Sequence, residues 1–90
     1  MENYDWNKDK NEQLIKDRGI GFHDVVDAIH AGRALDLIYH PNSKKYSGQK
    51  IVIVEINKYA YRVPFVFDDK KIFFKTIIPC RKTTKKYVKK

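Results

Sequence analysis

Ile51-Val52-Ile53-Val54-Glu55-Ile56, then Asn57-Lys58, then Tyr59-Ala60-Tyr61-Arg62-Val63-Pro64-Phe65-Val66-Phe67, is the stretch on which the fold turns. Its first part is rich in β-branched side chains, which suit the pleated surface of a strand. In its last part Tyr59, Tyr61, Val63, Phe65 and Phe67 alternate with Ala60, Arg62, Pro64 and Val66. A period of two puts the first set on one face of a strand and the second set on the other. Asn57-Lys58 reads as a hairpin turn, although the preferred glycine is missing. Pro64 has no N–H to give a ladder, which predicts a bulge or a locally unpaired position.

Working outward, Asp68-Asp69-Lys70-Lys71 reads as a second hairpin turn. Ile72 to Ile78 reads as the last strand, ended by Pro79, and residues 82–88 as a short basic helix or an ordered tail. Upstream, Ala34 to Tyr39 is a short strand, and the residues from His40 to Gly48 form a loop. Before Gly32 the period changes. Phe22, Val25, Val26 and Ile29 fall at i, i+3, i+4 and i+7, one face of a helix. Residues 8–17 read as an earlier helix stopped by Gly19, with Leu14, Ile15, Trp6 and Ile20 anchoring it to the core. The expected fold is therefore one α+β domain spanning residues 1–90. Two N-terminal helices pack on one face of a four-stranded antiparallel sheet, and the other face is left to the basic C-terminal segment and a ligand.

Charge is distributed unevenly. The first 32 residues carry seven acids against four bases, whereas the remainder is +11. Lys75 to Lys90 holds seven positive charges and no acid. A clustered basic face beside aromatic residues is the footprint of a polyphosphate partner; a solvated tail that keeps the domain soluble is the competing reading. One cysteine, Cys80, excludes an intrachain disulfide and a Cys-rich zinc site. No apolar run is long enough to span a membrane, and no signal peptide is evident at the start, so the cytoplasm is the expected location.

Two segments carry a family resemblance. Trp6 with Lys10, followed by Arg18-Gly19-Ile20-Gly21-Phe22 leading into a helix, resembles the N-terminal signature of BrnT-type toxins. Ile77-Ile78-Pro79-Cys80-Arg81-Lys82-Thr83-Thr84-Lys85-Lys86-Tyr87 is similar to that family's last strand and basic tail. The resemblance spans nearly the whole chain. It implies a RelE/ParE-like fold and a ribonuclease that blocks translation, in a toxin-antitoxin pair. It also implies neutralisation by an antitoxin encoded beside it, usually a small ribbon-helix-helix DNA-binding protein. The chain departs from the family in having Asp17-Arg18 where a Lys-His pair is common, and Gly21 where a Ser is common. Pro79-Cys80 replaces the small residues usual before the arginine.

Metal-free RNA cleavage needs a 2′-hydroxyl deprotonated, a charged phosphorane stabilised and a 5′-oxygen protonated. Cations supply the stabilisation, and positioned acids and bases move the protons. Arg81 falls where the resemblance places an arginine, and its guanidinium suits phosphate oxygens; a surface arginine or a salt bridge is the competing reading. Lys50 opens a strand where the family tends to have a basic residue. His40 is the natural general base because its ordinary pKa lies near neutrality. Arg62 could project into a cleft on the open sheet face, and Lys75 could reach the same cleft. Lys44, Lys45, Lys82, Lys85 and Lys86 are expected to contact the RNA backbone. Tyr46 and Tyr87 are candidates to stack a base, as is Tyr61 unless it belongs to the core. Thr83 and Thr84 could donate to phosphate or cap a final helix.

No Gly-rich phosphate loop, HExxH or nucleophile elbow is present. The acids lie mostly in the helical third, away from the basic segment, so no metal or cofactor is expected. The expected partners are RNA, an antitoxin and the ribosome. A non-catalytic RNA- or ribosome-binding module of the same fold is the alternative, and a small basic protein that merely matches an acidic partner is a third.

Overall fold

A computed structural model describes residues 3–39, 49–68 and 70–87. The elements in order are β1 (Asn3–Trp6), α1 (Lys8–Arg18), α2 (Phe22–His30), β2 (Ala34–Tyr39), β3 (Lys50–Ile56), β4 (Tyr59–Asp68), β5 (Lys71–Phe74), β6 (Ile78–Pro79) and α3 (Arg81–Tyr87). The class is α+β, as expected, but among the described residues the sheet has six strands and is mixed. Its order is β1-β5-β4-β3-β2, with β6 beside β4. β1 runs parallel to β5, and every other pairing is antiparallel.

Two differences from the expected four strands have physical causes. Residues 3–6 carry no β-branched run, and no turn links them to a neighbour; they become a strand only by pairing with β5 across the whole chain. There Tyr4 stacks on Phe74 at 5.5 Å, and Trp6 stacks on Phe22 at 5.6 Å. The expected single strand 72–78 is split, with β5 pairing residues 65–68 of β4 and β6 pairing Tyr61 and Arg62. Pro64 lies opposite that break. Its carbonyl accepts the Lys75 N–H at 2.8 Å. Its missing N–H lies on the same side, between the β5 and β6 pairings of β4, where no ladder pair is formed. The register with β3 runs past Pro64 without a bulge.

The helices form where local chemistry directs. The Asn7 side chain accepts the Lys10 N–H at 2.9 Å and caps α1. Gly19, at φ 75°, ends it in the left-handed conformation. Gly21 is set between the helices so tightly that a Cβ there would meet Asn11 Oδ1 at 2.6 Å. Its N–H donates to Asp24 Oδ2, while Phe22 N–H donates to Asn11 Oδ1. Leu14 and Ile20 are buried as expected, but Ile15 is 49% exposed, so α1 is held by Leu14 without it.

Leu14, Ile20, Phe22, Val25 and Ala28 meet Val52, Val54, Ile56, Val63, Phe65, Ile72, Phe74 and Ile77 in one core. This is the helix-covered face of the sheet. The second face carries Ile51, Ile53, Ala60, Arg62 and Pro64, by alternation along β3 and β4. It is not wholly free. The segment after β6 lies alongside β4, where Cys80 N–H donates to Ala60 O at 3.1 Å. Thr84 Oγ1 accepts Ala60 N–H at 2.9 Å and donates to Cys80 O at 2.9 Å. These bonds fix α3 to the sheet.

Candidate functional site

Between α3 and the second face lies a cleft of ≈ 300 Å³ lined by Asp36, Ile38, Ile53, Arg62, Cys80, Lys82, Thr83 and Lys86. The sheet builds its floor. Asp36, Ile53 and Arg62 are partners across β2, β3 and β4, so their side chains stand in one row. Asp36 reaches this row because β2 carries a bulge. Ala34 pairs with Val54 on the helix-covered face, yet Asp36, two residues on, pairs with Ile53 on the other. Strict alternation would have sent both to the same side; the extra residue, Leu35, re-aims the carboxylate. Helix α3 builds the wall, where Lys82 and Lys86 at i and i+4 share a side.

Cys80 sits at the corner between β6 and α3. Thr83 Oγ1 donates to its sulfur at 3.0 Å. That bond, with the Thr83 N–H, the nearby Arg62 charge and the Lys82 N–H, holds the thiol below its ordinary value, against partial burial that raises it. The cleft thus gathers one guanidinium and two ammonium groups around a carboxylate and an acidified thiol, over an apolar floor of Ile38 and Ile53. Such a surface can hold a phosphodiester by charge and lay an apolar ring face on the floor.

The expected site residues separate. Arg62, Lys82 and Lys86 converge on this cleft. Arg81 and Lys85 do not: with Tyr59 and Thr84 they line a second concavity of ≈ 300 Å³. Thr84, expected to donate to phosphate, is 2% exposed with its hydroxyl engaged at both ends, so it anchors α3 instead. Lys50 alternates with Val52 and Val54 on the helix-covered face, its ammonium 5.5 Å over Phe67, which separates it from Arg62 by the thickness of the sheet. Lys75 has its ammonium 5.2 Å over Phe73 and does not line the cleft. Tyr61 packs against the core. His40, Lys44, Lys45, Tyr46 and the side chain of Tyr87 lie outside the described residues.

Asp36 and Cys80 are the lining groups that sequence reasoning passed over. In the sequence Cys80 bears on disulfides, on zinc and on the family pattern but is not a site candidate; its place just before a helix beginning Arg81-Lys82-Thr83 is the usable signal. For Asp36 the sequence offers none, because a bulge decides its face. Among the described residues no three His, Cys, Asp or Glu side chains gather in a metal-binding group. An apolar hollow of ≈ 190 Å³ also opens on the helix-covered face, lined by Tyr4, Ile29, Leu37, Phe67 and others. It offers packing surface, and none of its described lining residues is charged. No described helix is long and apolar enough to cross a membrane. In comparisons with known proteins, the chain matches no family model, no curated protein and no solved structure.

Proposed function

We propose that this chain is an endoribonuclease toxin of a toxin-antitoxin pair. It binds RNA in the Arg62–Lys82–Lys86 cleft and cleaves it without a metal ion, inhibiting translation. The observation that carries this reading is the convergence, in one concavity, of a sheet arginine with two lysines of the C-terminal helix beside a carboxylate. In the proposed reaction the 2′-hydroxyl gives its proton to a base, for which Asp36 is the carboxylate at hand. The 2′-oxygen–phosphorus bond forms as the phosphorus–5′-oxygen bond breaks. Arg62 stabilises the charge on the phosphorane oxygens, and an ammonium of Lys82 or Lys86 protonates the departing 5′-oxygen. The products are a 2′,3′-cyclic phosphate and a 5′-hydroxyl. The resemblance to BrnT-type toxins supports this reading and extends it to a RelE/ParE-like architecture, a cytoplasmic site of action and a ribbon-helix-helix antitoxin covering the basic cleft.

Purified RNA incubated with the chain in EDTA tests the reaction. Cleavage to cyclic-phosphate ends is expected, with Arg62→Ala lowering kcat by about 10²–10³-fold. Intact RNA would end the catalytic reading. The second reading, a non-catalytic RNA- or ribosome-binding module, is favoured by the lack of an imidazole among the described lining residues of the cleft. It predicts salt-sensitive binding with no cleavage. Growth arrest by the chain, relieved by the protein of a neighbouring reading frame, is the expected outcome in cells; unaffected growth counts against toxicity.

A further inference from the structure

We infer that the second concavity, lined by Tyr59, Arg81, Thr84 and Lys85, is a nucleotide subsite that holds the residue of a single-stranded RNA next to the one in the cleft. Tyr59 stacks its base, and Arg81 with Lys85 grips its phosphate. The inference rests on the reading of the cleft as an RNA site and deepens it.

Helix α3 stands between two concavities of equal size, ≈ 300 Å³ each, that share no lining residue. It is seven residues long and carries four cations and no acid. Those cations form two i, i+4 pairs. Lys82 and Lys86 face the cleft, while Arg81 and Lys85 face the second concavity. Like charges at this spacing repel and weaken a helix. A short helix built this way is held by its anchor, the Thr84 hydroxyl on Ala60 N–H. On the cleft side the Asp36 carboxylate already stands with Lys82 and Lys86, whereas no acid is among the described lining residues of the second concavity, so an anion seated between Arg81 and Lys85 turns their repulsion into attraction. With cations of α3 on both sides of the helix, a strand whose phosphate lies in the cleft meets a second cationic pair, Arg81 and Lys85, as it crosses.

The aromatic partner singles out a nucleotide among anions. Tyr59 opens β4 just after the Asn57-Lys58 turn and is half-buried. Its ring is braced by Tyr61, centroids 5.5 Å apart and tilted by 58°. A braced ring beside two cations is the arrangement by which single-stranded nucleic acids are held: stacking on any base, charge on the backbone. Arg81 therefore becomes a positioning residue. It fixes where the strand lies across α3, and the Thr84 anchor fixes the distance from there to Arg62.

The test uses the full chain in EDTA with hexauridylate carrying one 2-aminopurine, and reads both affinity and the fluorescence of the probe base. Tyr59→Leu and Arg81→Gln should each weaken binding by about ten- to a hundredfold. Tyr59→Phe should bind as the parent does, which separates stacking from a structural role of the ring. Quenching of the probe base on binding should be lost in Tyr59→Leu. On longer RNA, Arg81→Gln should raise KM with little change in kcat, unlike Arg62→Ala. Unchanged affinity and quenching in both variants would overturn the subsite while leaving cleavage at Arg62 intact. Binding with the expected losses but no cleavage would keep the subsite and overturn the nuclease. An oligonucleotide that does not bind at all overturns both.

Discussion

Cys80 and Thr84 show how single side chains tie the cleft to the fold. The Cys80 sulfur accepts from Thr83 Oγ1 and is held below its ordinary value of 9.0. At neutral pH it should alkylate faster than an unstructured cysteine, because the thiolate is the reacting form. Thr83→Val removes the largest cause of the shift and should slow that alkylation, measured with iodoacetamide against pH. Folding favours the thiolate, so the stability this group contributes is complete above 9.0 and is lost as pH falls through the lowered folded value. Cys80→Ser should flatten that part of the stability profile. Thr84→Val keeps the shape but strips Ala60 N–H of its acceptor. A buried donor left unpaired costs about 1–3 kcal/mol. A lower denaturation midpoint and faster exchange of the Ala60 amide should report it; an unchanged midpoint would mean that the anchor holds nothing.

Among the elements, the β3–β4 hairpin carries a correctable strain. Asn57 and Lys58 both adopt positive φ, 54° and 62°, as a two-residue turn of matching twist requires. Asn tolerates that region and Lys does not. Lys58→Gly should therefore stabilise the protein by about 0.5–1 kcal/mol, the relief of the strained residue being partly offset by glycine's greater freedom when unfolded. Urea denaturation should show a higher midpoint at unchanged slope. The bulge in β2 is the opposite case, an irregularity that shapes the candidate cleft. By setting Leu35 outside the ladder it turns Asp36 toward Arg62 and Lys86. The hairpin was legible in residues 51–67 because alternation and turn length are local. The bulge was not, because the run Ala34-Leu35-Asp36-Leu37-Ile38 accepts either register until β3 imposes one.

At the scale of the whole molecule the net charge of +8 is concentrated on the C-terminal half, and the N-terminal third is negative. Arg62, Lys82 and Lys86 on one side of α3 and Arg81 and Lys85 on the other make a track across the helix. If a single strand of RNA follows it, with one phosphate in the cleft and one at the Arg81–Lys85 pair, the two phosphates neutralised should give a log–log slope of affinity against salt of about −1.4. Filter binding between low and moderate salt measures it. A slope near zero would show that the partner is not a polyanion.

The sequence by itself determined the local order of the chain. The period of two over Tyr59–Phe67 fixed a strand, and the apolar spacing from Phe22 to Ile29 fixed a helix. Glycine ended α1, and basic residues marked the short last helix. These features rest on contacts between neighbours in sequence. Only the tertiary structure decided which candidate side chains meet. The run from Lys50 to Ile56 is apolar on both faces, so it conceals that Lys50 points away from Arg62. Arg81 and Lys82 are adjacent in sequence, yet they serve different concavities once Thr84 locks the rotation of α3 against a strand 24 residues earlier. β1 likewise exists only because β5 is there to pair with it. The physical reason is the same each time: a side chain's direction is set by the hydrogen bonds of its backbone, and in this protein the deciding bonds join residues far apart along the chain.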